Sequence, residues 1–413
     1  MWRSIRKYGL EYCDLPTMLS NLYFMFRPLT LNIDPGNTEP IPKVFFVITL
    51  IFAIIYTYTY FFSMIWFVFV RCIETRDLVA AMIVFSLGIT SEIGVTKYIF
   101  TLAYENKIRG IIKQYIECDA LVVAGSRFSK NLLKALRNVK QRAVVYWIVI
   151  ISNGIIYIMK PFVMPGRNPM EEIFILYKLE PPLEKPNLEL ANLMMALGSV
   201  FTCYLTANMA VFLIIISGYV EAQLLALSVE LENIWDDAEV QHTNDSKVED
   251  STSDASASDS PDNNAINKII GQRLCELIKV HAININLLLE IEVVFRGAFI
   301  VEFIVLSVGL IAQLLGGLQN TYMEVPFAVI QVAMDCLTGQ RLMDACDVFE
   351  VAVYGCKWER YNASNMKTVL MMLMNSQKTL TLTAGGVAVL NFACLMSVFN
   401  SVYSAFTTLQ SVM

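Results

Sequence analysis

Hydrophobic residues lie in long unbroken runs along this chain, not in the alternation of surface strands or the single-face spacing of soluble helices. Val44 to Val70 is 27 residues without a charge, and Leu190 to Val220 is 31. Between them lie Leu78 to about Thr101, with Glu92 and Lys97 towards its end, and Ala143 to Met159, stopped by Lys160-Pro161. Gly297 to about Met323 contains Glu302, and Val325 to about Val353 is interrupted by Asp335 and Arg341. The last 35 residues, Thr379 to Met413, carry no charge. A bilayer span takes about 20 mostly apolar residues, so the pattern predicts seven spans. The fourth run exceeds one bilayer crossing and is expected to project beyond the membrane.

The final run is not uniformly oily. Ser397, Asn400, Ser401, Ser404, Thr407, Thr408 and Ser411 recur in steps that place them on one helix face. Hydrocarbon rejects such a face, because unsatisfied polar groups are costly there. Either water or another helix is expected to cover it, so pore lining and helix–helix packing both fit the stripe.

The inner connections are also patterned. Residues 239–264 carry seven acids and one lysine, a charge of −6 (1 minus 7), which predicts a disordered acidic loop. Its serines Ser251, Ser253, Ser256, Ser258 and Ser260 could accept phosphate, although a plain linker fits as well. Glu221 to Trp235, Ala265 to Glu292 and Tyr361 to Gln377 read as helices that pack into a bundle below the membrane. The chain therefore divides into 1–353, six spans with their loops, and 354–413, an anchor segment followed by the seventh span.

Composition sharpens the class. Hydrophobic residues are 56% of the chain, charged ones 16%, and mean hydropathy is +0.53, against about 25% charged residues in soluble domains. Residues 1–40 lack the apolar core and cleavage pattern of a signal peptide. Six Lys or Arg (Arg71, Arg76, Lys160, Arg167, Lys178, Lys185) fall in the loops on one side, and the other 25 of 31 on the opposite side. By the positive-inside rule the N-terminus is cytosolic and the C-terminus extracellular, the reverse of a G-protein-coupled receptor. Two histidines, His242 and His281, and nine cysteines without a CxxC pair give no zinc site or His-based triad. Asp335 has no second intramembrane aspartate to form a protease dyad. No catalytic residue, metal, cofactor or nucleic-acid partner is expected.

The C-terminal third carries a recognisable arrangement: Gly339-Gln340-Arg341-Leu342, then Val351-Ala352-Val353-Tyr354 and Trp358, then Met374-Asn375-Ser376-Gln377-Lys378 and Leu380-Thr381-Leu382-Thr383-Ala384-Gly385-Gly386. This resembles the signature region of the insect odorant receptors. The co-receptor of that family lacks Thr-Ala-Gly-Gly, so the resemblance points to a ligand-tuned subunit. It implies an all-α polytopic fold with inverted topology and a cytosolic anchor bundle, in the plasma membrane of an olfactory neuron dendrite. It also implies an odorant-gated nonselective cation channel, a heterotetramer with the co-receptor. Its partners would be a small volatile odorant, membrane lipid and permeating cations. A gustatory-type receptor of the same fold and a secondary transporter are the alternatives. The chain lacks the gustatory Thr-Tyr ending, and it shows no division into repeated halves.

The resemblance also locates sites. The family pocket lies in the outer halves of spans two, three, four and six. Here these supply Met82, Phe85, Ser86 and Ile89; Ile151, Asn153, Gly154, Tyr157 and Ile158; Leu193, Met194, Leu197 and Phe201; and Tyr322, Val329, Ile330 and Ala333. Ordinary helix packing is the competing reading for each. Gly154 is expected to open space, and Asn153 and Tyr157 to orient a polar group. Matching the chain end places the pore gate near Thr408 and Val412, with Leu409 the rival position and Ser401 and Ser404 deeper. Gly385-Gly386 is expected to break the last helix.

Overall fold

The computed structural model describes residues 8–36, 40–163, 169–250 and 263–412, with side chains for all of these except 245–250 and 412. The chain is helical almost throughout. Helix α1 (Leu15–Phe26) precedes the first span, α2 (Lys43–Thr75), which alternates α and π turns. Then come α3 (Leu78–Ala103), α4 (Glu105–Ala120), α5 (Arg127–Val163) and α6 (Asn187–Glu232). Helices α7 (Ile234–Asp250), α8 (Asn263–Gly316), α9 (Glu324–Tyr354) and α10 (Ala363–Ser376) follow. A two-residue hairpin, β1 (Thr383–Ala384) with β2 (Ala388–Val389), leads into the last helix, α11 (Phe392–Val412).

Six of these helices are long and apolar enough to cross a membrane: α2, α3, α5, α6, α8 and α11. The expected sixth span is α9, whose 31 residues include charges; its Glu324 and Asp335 are buried within the protein, which reconciles them with a membrane setting.

Helix α6 is the axis of the fold. Every residue from 205 to 220 is buried, as expected of a helix hydrophobic on all sides, and α2, α3, α5 and α9 pack around it. Close approach depends on glycines. A Cβ at Gly94 of α3 would meet Thr206 Oγ1 at 2.2 Å, and one at Gly218 would meet Val139 of α5 at 2.4 Å. Helix α1 tucks Leu15, Leu19, Leu22 and Phe26 beneath the spans. Asp14 caps it, accepting from the Thr17 N–H at 3.0 Å.

Helices α6 and α8 run far beyond one bilayer thickness, as the length of the fourth hydrophobic run implied. Their extensions meet α4, α7 and α10 in a polar bundle. Arg127 bonds Glu230 and Asp237, Asp237 also accepts from Arg273 at 3.1 Å, and Trp235 stacks on Tyr361 at 5.9 Å.

Three boundaries differ from expectation. Helix α5 continues through Pro161 to Val163; the proline there forfeits the one bond its own N–H would have made. The acidic segment is helical up to Asp250 as part of α7; residues 251–262, with the five serines, lie outside the described residues. The fifth span ends at Gly316, where Gly317 turns the chain at φ 87°. The break before α11 falls at Gly385 and Gly386, whose φ of 65° and 76° suit glycine alone at low strain. The Gly385 N–H donates to the Arg296 carbonyl at 2.8 Å, pinning the hairpin to α8.

Candidate ligand cavity and polar helix face

Five helices converge on a small cavity in the half of the bundle nearer the 169–186 loop. Helix α2 supplies Tyr60; α3 supplies Leu87, Thr90 and Ser91; α5 supplies Asn153, Gly154 and Tyr157. Helix α6 contributes Ser199, Thr202 and Cys203, and Met323, Glu324 and Phe327 close it at the start of α9. Its volume is about 60 Å³. Met170, Phe174 and Leu176 of the loop pack on Met64, Phe67 and Met195, fixing the loop over this end of the bundle.

The polar groups are held in place. Tyr60 Oη bonds Ser199 Oγ at 2.7 Å and donates to the Met195 carbonyl at 3.1 Å. Ser86 Oγ donates to Glu324 Oε2 at 2.8 Å, and Asn153 Nδ2 to the Met323 carbonyl at 3.3 Å. The Tyr157 hydroxyl is buried beside the Glu171 carboxyl and the Tyr60 hydroxyl. Glu171, in the 169–186 loop, acts electrostatically on Tyr157, and burial raises the Glu171 carboxyl above its usual pKa. Gly154 faces Cys203, whose Sγ would lie 2.7 Å from an added Cβ; the missing side chain lets α5 and α6 approach at the cavity wall.

Of the residues singled out in the sequence, Asn153, Gly154 and Tyr157 line this cavity, and Ser86 stands one hydrogen bond behind it. The others lie outside its wall. Ile89 faces Gly309 of α8. Phe85, Ile158 and Met194 pack beneath the 169–186 loop. Phe201 packs on Phe52 and Tyr56 of α2, and Ile151 and Val329 border the main core. Ile330 lines a separate groove with Arg142 and Arg341. Met82, Leu197 and Ala333 are half-buried, while Leu193 and Tyr322 are exposed. Sequence reasoning did not anticipate Tyr60 or Glu324: the first lies on an unconsidered helix, the second one residue before the expected span.

Deeper in the bundle, Lys97 of α3 reaches two acids across the helices. Its Nζ stands 2.9 Å from Glu302 Oε1 of α8 and 2.9 Å from Asp335 Oδ2 of α9. All three side chains are buried, and Lys97 also lies over the Phe299 ring at 5.8 Å. Lys97 thus pairs across helices rather than with Glu92, its neighbour on α3. Glu302 and Asp335 are its partners.

Helix α11 is the other candidate element. Leu395, Val398, Phe399 and Val402 pack it against the core, where it meets α8 and α9. The opposite face is bare. Ser401, Ser404, Thr408 and Leu409 are exposed along one open groove with Ser397 and Asn400. At about 100° per residue, the seven stripe residues fall within roughly 60° of Ser404. Val412 is helical, but its side chain lies outside the described residues. At the foot of α11, Gly339 of α9 takes the Leu390 carbonyl so closely that an added Cβ would sit 2.1 Å from it. Gln340 Oε1 accepts from the Phe392 N–H at 3.3 Å. The Gly339-Gln340 pair is therefore the joint between α9 and α11.

These features define a multi-pass helical membrane protein with a small polar-lined cavity among its spans. The sequence profile of the 7tm odorant receptor family matches residues 77–403, and the chain belongs to that family. Odorant receptor 30a of Drosophila melanogaster is 36% identical over 62 residues, 15% of this chain and 16% of that protein's length. The fold is similar to that of the insect olfactory receptor OR5 from Machilis hrabei, with a TM-score of 0.74 and 12% identity, covering 97% of this chain and 99% of the other. The same receptor in complex with eugenol matches with a TM-score of 0.74, 11% identity and the same coverage. The chain is not an enzyme.

Proposed function

We propose that this odorant receptor is a ligand-gated cation-channel subunit of the plasma membrane, in the dendrite of an olfactory neuron. Its N-terminus is cytosolic and its C-terminus extracellular. It assembles with the family co-receptor around a pore lined by α11. A small volatile molecule occupies the cavity among α2, α3, α5, α6 and α9, and its arrival widens the pore near Thr408, Leu409 and Val412. That the similar Machilis hrabei receptor has been solved with eugenol supports a volatile ligand here.

The observation that carries this reading is the split character of α11. Its apolar back is packed against the protein, while its hydroxyls and Asn400 face outward. A water-filled passage between subunits satisfies such a face, and hydrocarbon does not. With no acidic residue in α11, the wall offers hydroxyls rather than a ring of charge, which fits weak discrimination among cations.

Helix α9 joins the two sites: Glu324 and Phe327 stand at the cavity, and Gly339 and Gln340 at the foot of α11. A ligand that displaces the first turns of α9 moves this joint. The test is co-expression with the co-receptor and recording against a panel of volatiles. A cation current that requires both subunits and a volatile is expected. Silence across the panel with the chain present at the cell surface would overturn the proposal.

A further inference from the structure

The cavity contains a buried carboxylate with no cation. Glu324 is 7% exposed, accepts from the Ser86 hydroxyl at 2.8 Å and has the Gln313 amide as a second neutral partner. Among the described residues no lysine or arginine forms an ion pair with it. Eleven residues on along the same helix, Asp335 is equally buried but has Lys97 at 2.9 Å. A buried acid without a cation is costly in its charged form, and one placed at a cavity wall can be completed from outside the protein.

The surrounding groups match one kind of completion. Tyr60, Tyr157 and Phe327 bring aromatic rings to the same cavity, and aromatic faces attract cations. The Tyr157 hydroxyl, buried beside Glu171 and Tyr60, keeps lone pairs that can accept a hydrogen bond. Close by, the electrostatic surroundings of Glu324 include Glu171 and Lys160.

We propose that the ligand is a small amine whose nitrogen sits beside Glu324. This rests on the proposed function only in taking the cavity as the ligand site. An ammonium ion meets the carboxylate directly. A neutral amine takes the proton of a neutral carboxyl group. Both routes end in the same ion pair, with the nitrogen near the tyrosines and the carbon skeleton towards Leu87 and Phe327. The volume of about 60 Å³ equals two waters at about 30 Å³ each in the liquid, so the cavity favours short alkyl amines, and a butyl chain requires Leu87 and Phe327 to move apart.

The experiment compares butylamine, 1-butanol and pentane on the chain co-expressed with the co-receptor, with surface labelling of every variant. Butylamine is expected to activate at the lowest concentration. Glu324→Gln, nearly isosteric, is expected to raise its half-maximal concentration by about 10–100-fold, the range for a lost bond to a charged group. The same change should leave the 1-butanol response within about threefold, since that bond is uncharged. Tyr157→Phe, which keeps the ring, should weaken the butylamine response several-fold and spare pentane. Butylamine acting no better than 1-butanol, or Glu324→Gln weakening all three alike, would overturn the assignment while leaving the channel reading intact. Silence to these three together with currents from other volatiles would overturn it too, and silence to every volatile would overturn both.

Discussion

Polar side chains occur inside the membrane in two regions of this molecule, and they are satisfied in different ways. In the bundle around α6, side chains on neighbouring helices supply partners for several of them. Lys97 is held by Glu302 and Asp335 at 2.9 Å each, and Trp147 Nε1 donates to Asn208 Oδ1 at 3.2 Å. Along α11, the hydroxyls turn back on their own helix. Thr407 and Thr408 both donate to the Ser404 carbonyl at 2.9 Å, and Ser411 to that of Thr408 at 2.7 Å. Their remaining capacity faces away from the chain. Burial by the protein identifies the first region as structure, and exposure of a polar face identifies the second as an element that needs water or another subunit.

The comparison can be broken from the interior outward. Lys97→Met would leave Glu302 and Asp335 buried without their shared cation, and removing one member of a buried charged group destabilises by about 3–5 kcal/mol. Little of this variant should reach the cell surface, and its melting temperature in detergent should fall. Melting like the native protein would show that the cluster carries little of the interior's stability. The smallest effect is expected at Ser217 of α6, whose hydroxyl is buried without a partner. Ser217→Ala should change stability by less than about 1 kcal/mol, because no bond is lost. A large loss in the same melting assay would mean that the hydroxyl has a partner after all.

Much of the fold was legible because hydrocarbon imposes so strong a constraint on composition. Charge-free runs such as Leu190–Val220 gave the spans, and Gly385-Gly386 gave the break before α11, since two glycines in sequence favour a turn over a helix. Helix α1 was overlooked, although Asp14 followed by Leu15-Pro16 is a readable start signal. The Pro161 stop was misjudged because proline ends a helix only where its missing N–H and ring matter.

The site was less legible. Asn153, Gly154 and Tyr157 were named because the family resemblance implies a pocket in that part of the span, and Gly154 was singled out for its missing side chain. Glu324 could not be assigned, because nothing in the sequence says whether a carboxylate at a span boundary points into the protein or to water. Lys97 had two acids as partners that lie 205 and 238 residues away (302 minus 97, 335 minus 97). Only helix packing joins them. The polar stripe of α11 was readable as a face, but what the face meets depends on other subunits.

The account stands or falls on that face, and substituted cysteines read it directly. In channels co-expressed with the co-receptor, Asn400→Cys, Ser404→Cys and Thr408→Cys are compared with Val398→Cys, which lies on the packed side. A membrane-impermeant thiol reagent is applied from outside, with and without a ligand. The expected result is block of current at the first three positions, faster when the ligand is present, and none at Val398→Cys. Block at Val398→Cys with the stripe positions inert would contradict a pore lined by α11.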